Sequence, residues 1–216
     1  MKRPLLQLAL DDVSLKDAFK SLENGVDEIV DIIECGTILI AAEGKKAIAV
    51  LREKYPDKPL VADFKIADSG KVTSGLLLEG RPDFLTVICS ADNKTKKAVV
   101  EQIAERKLST QVQIELYGRW TFEDVEEWKK LNIHHVVLHH SVDEINGWSK
   151  EEIDTAKKLC ETGMHVTVTG GITKESLALF KGLPLFCIIA GRSIRKAENP
   201  AQEARSIKKQ IDEIWP

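Results

Sequence analysis

The sequence predicts a single (β/α)8 TIM barrel, an α/β fold over residues 1–216, and two observations support this prediction. Short runs of apolar and β-branched residues recur about every 20–30 residues, with amphipathic charged stretches between them. Within most runs the residues alternate, so that one face of the strand is apolar and the other is polar near its C-terminal end. No Pro/Gly/Ser-rich linker divides the chain, and we therefore expect one catalytic domain.

The strands are predicted from the apolar runs, because β-branched and large apolar side chains favour extended backbone. In chain order they are Leu5–Leu10, Ile29–Cys35, Pro59–Ile66, Phe84–Cys89, Gln111–Leu116, His135–His139, His165–Thr169 and Leu185–Gly191.

Four of the intervening stretches carry patterns specific enough to place helices. Ser14–Glu23 begins with a serine N-cap and has apolar residues at helical spacing. Thr121–Leu131 opens with Thr-Phe-Glu-Asp, which is typical of a capping box. Lys174–Phe180 and Pro200–Trp215 are predicted as the last two helices.

The alternation distinguishes a barrel from a doubly wound open sheet, the other architecture that eight strand–helix units allow. A doubly wound sheet buries both faces under helices, so its strands read as nearly continuous apolar runs. In Pro59–Ile66, Asp63 and Lys65 are instead expected on one face and Phe64 on the other. A barrel explains this pattern, because its outer face meets the helices while its inner face opens at a mouth.

The composition disfavours several classes of function. The 31 Lys and Arg residues against 34 Asp and Glu residues give a net charge of −3, so we expect no nucleic-acid partner. No apolar run approaches the roughly 18 residues of a membrane span, and we expect no membrane partner. The cysteines lie far apart without a CxxC pair, which is typical of free thiols in a cytoplasmic protein.

In a barrel of this kind the active site lies at the C-terminal ends of the strands. The residues predicted at these ends are Asp11, Glu34, Asp63, Lys65, Glu115, His139, Thr169, Gly170, Gly171, Gly191 and Arg192, with Asp68 just beyond the end of its strand. Charged residues are rarely buried unless they are paired or bind a metal. So many carboxylates, with a lysine and a histidine, exceed what the packing of a core requires.

The segment Asp63-Phe64-Lys65-Ile66-Ala67-Asp68 is the most informative one. Asp63 and Lys65 project from one face about 6–7 Å apart, and nearby carboxylates favour the charged form of the lysine. A fixed cation can stabilise an oxyanion that forms in a transition state. A buried salt bridge without chemistry is the alternative interpretation of the pair.

Glu34 and Asp63 end adjacent strands, where their carboxylates can share one divalent ion. Two carboxylates together with substrate oxygens and water suit Mg²⁺, whereas Zn²⁺ calls for more His or Cys ligands. An ion pair between Glu34 and Lys65 is the alternative for Glu34 alone.

The last two strands are followed by glycines, at Thr169-Gly170-Gly171 and Gly191-Arg192, where barrels often bind phosphate. Glycine lets backbone N–H groups approach an anion, and Arg192 can add a bidentate contact. His139 is a candidate proton carrier or a hydrogen-bonded wall residue. His134, His135 and His165 lie at the opposite strand ends and are read as structural, and the role of His140 stays open.

Six segments together resemble the orotidine-phosphate decarboxylase superfamily, most closely its group of 3-keto-L-gulonate 6-phosphate decarboxylases and 3-hexulose-6-phosphate synthases. They are Leu-Gln-Leu-Ala-Leu-Asp11, Val-Asp-Ile-Ile-Glu34-Cys-Gly-Thr, Ala-Asp63-Phe-Lys65-Ile-Ala-Asp68-Ser-Gly-Lys71, Gln-Ile-Glu115-Leu-Tyr-Gly, Val-Thr-Val-Thr169-Gly-Gly171 and Ile-Ala-Gly191-Arg192-Ser-Ile. The resemblance extends over nearly the whole chain, and the DxKxxD segment is specific to the superfamily.

The resemblance implies a Mg²⁺-dependent carboxy-lyase that acts on a phosphorylated keto-sugar acid in L-ascorbate or L-gulonate catabolism. It implies that Glu34 and Asp63 bind Mg²⁺ and that Lys65 stabilises an enediolate. It implies a homodimer with shared active sites, because Asp68 reaches into the neighbouring subunit. The other implied roles are contact with substrate hydroxyls by Asp11, contact with the sugar chain by Glu115, phosphate binding by Gly171, Gly191 and Arg192, and proton return with the help of His139.

Four positions help to separate decarboxylase from synthase within the group. Decarboxylases typically carry Glu, Arg, Thr and Arg where this chain has Glu115, Val142, Thr169 and Arg192. The uncharged Val142 looks more like the synthase, which adds formaldehyde to D-ribulose 5-phosphate. The synthase is therefore one alternative to the decarboxylase. A phosphosugar-binding regulator without catalysis is another.

Overall fold

Eight parallel strands close into a barrel in which each strand pairs with the next one along the chain and β8 pairs with β1. The protein is represented by a computed structural model that describes residues 2–140 and 147–216. The strands are β1 (Leu5–Leu10), β2 (Ile32–Cys35), β3 (Leu60–Ile66), β4 (Phe84–Ile88), β5 (Gln111–Leu116), β6 (His135–His139), β7 (His165–Thr169) and β8 (Cys187–Ala190). The predicted (β/α)8 barrel is confirmed.

Helices connect the strands on the outside of the barrel. Those of the described residues are α1 (Leu15–Leu22), α2 (Val26–Ile29), α3 (Thr37–Glu43), α4 (Lys46–Lys54), α5 (Gly70–Leu77), α6 (Asn93–Glu105), α7 (Phe122–Lys130), α8 (Lys150–Glu161), α9 (Arg192–Arg195) and α10 (Pro200–Ile214), with 3-10 turns at Leu78–Gly80 and Ser176–Phe180. Within the described ranges, none of these helices combines the length and the apolar character that crossing a membrane needs.

The predicted helix starts agree with the observed caps. The Ser14 hydroxyl accepts from the Asp17 N–H at the start of α1. Thr121 and Asp124 form the reciprocal capping box of α7, so two backbone donors that the helix leaves unpaired are satisfied.

Several predicted elements differ from the observed ones; for example, the eighth strand is shorter than predicted, at Cys187–Ala190. The second strand begins at Ile32, because Val26–Ile29 already forms α2 and the Val30 N–H closes that helix by donating to Val26 O. The predicted helix Lys174–Phe180 is only the 3-10 turn Ser176–Phe180. There the Ser176 hydroxyl bonds to the backbone of Thr173, and such local bonds compete with helical ones.

The core has an outer layer between strands and helices and a smaller layer inside the barrel. Leu6, Leu8 and Leu10 are fully buried in the outer layer. Apolar side chains of alternating strand positions, among them Ile32 and Val61, fill the interior at the N-terminal ends of the strands. The polar inward-facing residues therefore lie nearer the C-terminal ends of the strands and at the mouth.

The third strand departs from the alternation that the sequence predicts. The register of β3 against β4 shifts between Ala62 and Ile66, and Lys65 has a left-handed backbone with φ of 54°. Phe64 is consequently 40% exposed and does not pack under the helices, so its predicted place on the covered face was wrong. A bulge re-aims side chains at the irregular position, and Lys65 keeps its predicted contact with Asp63 although the alternation is broken.

Candidate active site

The predicted site residues lie at the C-terminal end of the barrel, with Asp68 just beyond β3. Glu34, Asp63 and Glu115 are buried on β2, β3 and β5, while Lys65 and His139 are half-buried. A cavity of about 490 Å³ opens beside them. Its wall includes Asp11, His139, Thr169, Gly170, Gly171, Gly191 and Arg192.

The Asp63 carboxylate lies at the centre of a hydrogen-bond network. Its Oδ2 accepts from Lys65 Nζ and from Thr37 Oγ1, the latter at 2.7 Å. Its Oδ1 accepts from Thr86 Oγ1 at 2.8 Å. Lys65 Nζ also donates to Thr37 Oγ1 at 2.9 Å. The network fixes both members of the pair, since each carboxylate oxygen has a donor.

The electrostatics of the pair keep both groups charged. Burial alone disfavours an ammonium, but the carboxylates of Glu115, Asp63 and Glu34 outweigh burial and raise the pKa of Lys65. Burial likewise acts to raise the pKa of Asp63. The Lys65 charge and the hydrogen bonds that the Asp63 carboxylate accepts nevertheless hold that pKa below its ordinary value. Lys65 is therefore a fixed cation at the mouth.

Glu34 lies in the same acidic cluster. Its Oε2 accepts from Gln7 Nε2 at 2.5 Å, and burial together with the nearby charges of Asp63 and Asp11 raises its pKa well above the ordinary value. The carboxylates thus exceed the positive charge of Lys65, which is the setting that a divalent cation would neutralise. In residues 2–140 and 147–216 no three His, Cys, Asp or Glu side chains form a metal cage. Two carboxylates nevertheless fit Mg²⁺, which keeps waters and substrate oxygens as its other ligands.

His139 is held from two sides. Its Nδ1 lies 3.2 Å from Glu115 Oε2, and the Tyr117 ring contacts the imidazole edge-on with centroids 5.5 Å apart. A carboxylate on Nδ1 fixes the proton there and leaves Nε2 for substrate or water. Sequence reasoning missed Tyr117, although it follows Glu115 by two residues and so continues the inward side of β5.

The glycine segments line the cavity. Gly170 and Gly171 have φ of 98° and 62°, a region that other residues rarely adopt. Ser193 and Lys196 line the same cavity and were not predicted. The Ser193 hydroxyl is buried and finds no hydrogen-bond partner among the described residues. Its position one residue after Arg192 is a signal that sequence reasoning could have used.

Asp68 lies apart from the cluster. It is exposed beyond β3, and its carboxylate forms no hydrogen bond or ion pair with another described residue of this chain. Asp68 lies just beyond β3, as the sequence predicts, and its role in the site of a neighbouring subunit stays a prediction. Val142 lies outside the described residues.

The remaining histidines lie at both ends of the barrel. His135 and His165 begin β6 and β7, at the opposite end of the barrel from the mouth, and His134 precedes β6. His140, whose role the sequence left open, is buried, and its Nδ1 lies 2.7 Å from Glu152 Oε1.

A closed (β/α)8 barrel with a fixed lysine, clustered carboxylates and a glycine-lined cavity at its mouth defines a TIM-barrel enzyme. The model of the family described as orotidine 5'-phosphate decarboxylase / HUMPS matches residues 4–207. The chain belongs to this family, which confirms the resemblance seen in its motifs.

Individual relatives place the chain within the family. It is 43% identical over 218 residues, covering 100% of both chains, to the 3-keto-L-gulonate-6-phosphate decarboxylase UlaD of Salmonella typhi. A crystal structure of KGPDC from Streptococcus mutans, solved as a complex with a bound ligand, is 38% identical, with a TM-score of 0.94 and coverage of 99% of both chains. The 3-hexulose-6-phosphate synthase of Salmonella typhimurium is 30% identical, with a TM-score of 0.87 and coverage of 97% of this chain and 99% of that chain.

Proposed function

We propose that this protein decarboxylates 3-keto-L-gulonate 6-phosphate to L-xylulose 5-phosphate and CO₂, with Mg²⁺ as cofactor. The observation that carries the proposal is the Lys65 cation held against Asp63 inside a cluster of carboxylates, next to a glycine-lined cavity. In this proposal a site for the substrate phosphate adjoins a site for an oxyanion at one mouth. The 43% identity to a decarboxylase of this substrate over the whole chain supports the same conclusion.

The reaction requires charge stabilisation at one oxygen. The bond between the carboxylate and its neighbouring carbon breaks, CO₂ leaves, and the electron pair moves to the adjacent carbonyl, giving an enediolate. The Lys65 ammonium beside that oxygen lowers the barrier, because its charge interacts more strongly with the enediolate than with the keto acid. Mg²⁺ held by Glu34 and Asp63 would supply Lewis-acid stabilisation of the same charge.

A proton then replaces the carboxylate on carbon. His139 is the proton carrier in this proposal: Glu115 orients its ring, and a water in the cavity delivers the proton. Asp11, on the cavity wall, binds substrate hydroxyls.

The substrate phosphate would occupy the glycine-lined part of the cavity. Donors from Gly170, Gly171 and Gly191, with the Thr169 hydroxyl and the Arg192 guanidinium, form this subsite. Its position on β7 and β8 agrees with the usual phosphate site of these barrels.

We include in the proposal a homodimer whose active sites are shared. Phe64, Val72 and Leu76 are exposed apolar side chains close to Asp68 in the sequence, on β3 and α5. A surface of this kind is typical of an interface. Burying it against a second copy would let Asp68 reach the partner's mouth, where it would approach Lys65. The four cysteines are free thiols, which agrees with a place in the cytoplasm.

The 3-hexulose-6-phosphate synthase reaction is the second candidate, because Val142 stands where decarboxylases carry arginine. One NMR experiment compares the two. It follows CO₂ loss from 3-keto-L-gulonate 6-phosphate beside condensation of D-ribulose 5-phosphate with formaldehyde, at equal enzyme and substrate. We expect the first reaction to have the larger kcat/KM. Faster condensation would replace the proposal with the synthase, and no turnover of either pair would leave a binding protein.

A further inference from the structure

We propose that Trp148 is a positioning residue for phosphate binding: its indole N–H fixes the peptide that joins Gly170 to Gly171. The inference rests on the proposed function for the identity of the ligand, a phosphosugar. Trp148 does not line the cavity itself, so it acts through the glycines.

The contacts of Trp148 are specific. Its Nε1 donates to Gly170 O at 2.8 Å. Its ring contacts that of His140, with centroids 5.4 Å apart and planes tilted by 32°, and that of Phe180, with centroids 4.9 Å apart in an edge-on contact. Both neighbours are buried, so the ring has little freedom to move.

The backbone of His140 packs closely against Gly170. A Cβ on Gly170 would lie 2.0 Å from His140 O, so only glycine fits here. The His140 N–H donates to Thr169 O at 2.9 Å and fixes the preceding peptide. The carbonyl of Gly170 is left with one anchor among the described side chains, the Trp148 indole.

The orientation of that carbonyl determines where the next N–H points. A trans peptide is planar, and its C=O and N–H point in opposite directions. Fixing Gly170 O therefore fixes the direction of the Gly171 N–H, which donates to no other described residue. Since Gly171 lines the cavity, this N–H is a donor available to an anion.

The start of α8 holds Trp148 in place. Ser149 is the N-cap of that helix and forms a capping box with Glu152, whose Oε1 also contacts His140 Nδ1 at 2.7 Å. The ring and the imidazole on which it packs are thus attached to the same helix start. This arrangement keeps the indole N–H aligned with Gly170 O.

The test compares Trp148→Phe with a matched control, Trp215→Phe. Trp215 also donates its indole N–H to a backbone carbonyl at 2.8 Å, that of Leu183, and neither residue lines the cavity. Each variant keeps an aromatic ring and loses one such bond. Inorganic phosphate is titrated into each protein and followed by ³¹P NMR, and KM and kcat are measured with 3-keto-L-gulonate 6-phosphate.

For Trp148→Phe we expect the Kd of inorganic phosphate and the KM to rise about 5- to 15-fold. This is the loss of affinity that corresponds to the free energy of one hydrogen bond. The kcat should stay within about twofold, because Lys65 is untouched. Trp215→Phe should change neither constant, although both variants should lose a similar amount of thermal stability. Unchanged phosphate affinity in Trp148→Phe, an equal loss in Trp215→Phe, or a fall in kcat alone would each overturn the inference.

The phosphate titration separates this inference from the proposed function. If the wild type binds phosphate but does not turn over the keto acid, the proposed reaction is wrong and the titration still decides the role of Trp148. If the wild type binds no inorganic phosphate in this titration, the inference itself is wrong.

Discussion

Thr86 is bound to Lys65 directly and through Asp63. Its Oγ1 accepts from the Lys65 backbone N–H at 2.8 Å and donates to Asp63 Oδ1 at 2.8 Å, while the other Asp63 oxygen accepts from Lys65 Nζ. The hydroxyl thus holds the lysine backbone in its left-handed conformation, and the carboxylate holds the side chain. Non-glycine residues in that region cost energy and persist where the surroundings fix them.

The first prediction follows from this contact. Thr86→Val keeps the shape of the side chain but leaves the Lys65 N–H and Asp63 Oδ1 without their partner. We expect kcat to fall at least tenfold and stability to fall by about 1–3 kcal/mol, as for other buried donors left unpaired. Thr86→Ser, which keeps the hydroxyl, is the control in kinetics and urea unfolding. Wild-type kcat in Thr86→Val would show that the network does not position Lys65.

The second prediction concerns the metal. Glu34→Gln removes one carboxylate charge while leaving the Asp63–Lys65 pair, and Asp63→Asn removes the other. Both should abolish Mg²⁺-dependent turnover and weaken Mg²⁺ binding in calorimetry without unfolding the barrel, because the remaining carboxylate lacks a partner. Glu43→Gln, a change on α3 away from the cavity wall, is the control. Equal turnover in excess chelator and in Mg²⁺ would contradict the metal role.

The third prediction tests the shared sites. Lys65→Ala and Asp68→Asn homodimers should each be nearly inactive. Unfolded and refolded together in equal amounts, they form heterodimers in which one of the two sites has both native residues. Random pairing then restores roughly a quarter of the wild-type activity per site. If Asp68 acts in the site of its own chain, every active site in the mixture carries one of the two substitutions and the mixture stays inactive.

The fourth prediction concerns pH. Burial, with the charges of His165 and His134, lowers the pKa of His135 to about 4 from its ordinary 6.5. Between these values the unfolded chain binds a proton that the folded chain does not, so stability falls as the pH drops from about 6.5 to about 4. The loss amounts to roughly 3 kcal/mol. His135→Phe, placed next to Phe84 and Phe186, should remove this part of the pH dependence in urea unfolding at pH 7 and pH 4.5. If the free energy of unfolding depends on pH equally in His135→Phe and the wild type, other groups cause the loss of stability.

The fifth prediction is for Val142→Arg. Decarboxylases of the family typically carry arginine here, so restoring that charge should raise decarboxylase turnover or sharpen the stereochemistry of protonation in deuterium oxide. Val142→Met, similar in length but uncharged, is the control. If neither rate nor stereochemistry changes, the proton is delivered without a charge at position 142.

The sequence alone was sufficient for the barrel and for most positions of the candidate site. Alternation in strands such as Gln111–Leu116 distinguishes inner from outer residues, since side chains of a strand point alternately to its two faces. The parallel strands of a barrel bring their C-terminal ends together, so Glu34, Asp63 and Glu115 could be assigned to one mouth before any coordinates.

The tertiary structure decided what depends on contacts between distant segments. The bulge at Lys65 breaks the alternation and exposes Phe64, and its anchor, Thr86, lies 21 residues away on β4. Likewise the indole of Trp148 reaches Gly170 across 22 residues. Local patterns report only which way a regular strand or helix faces. An irregular backbone is stable only where a neighbouring element supplies its hydrogen bond. Which residues come together in this way is visible only in the folded structure.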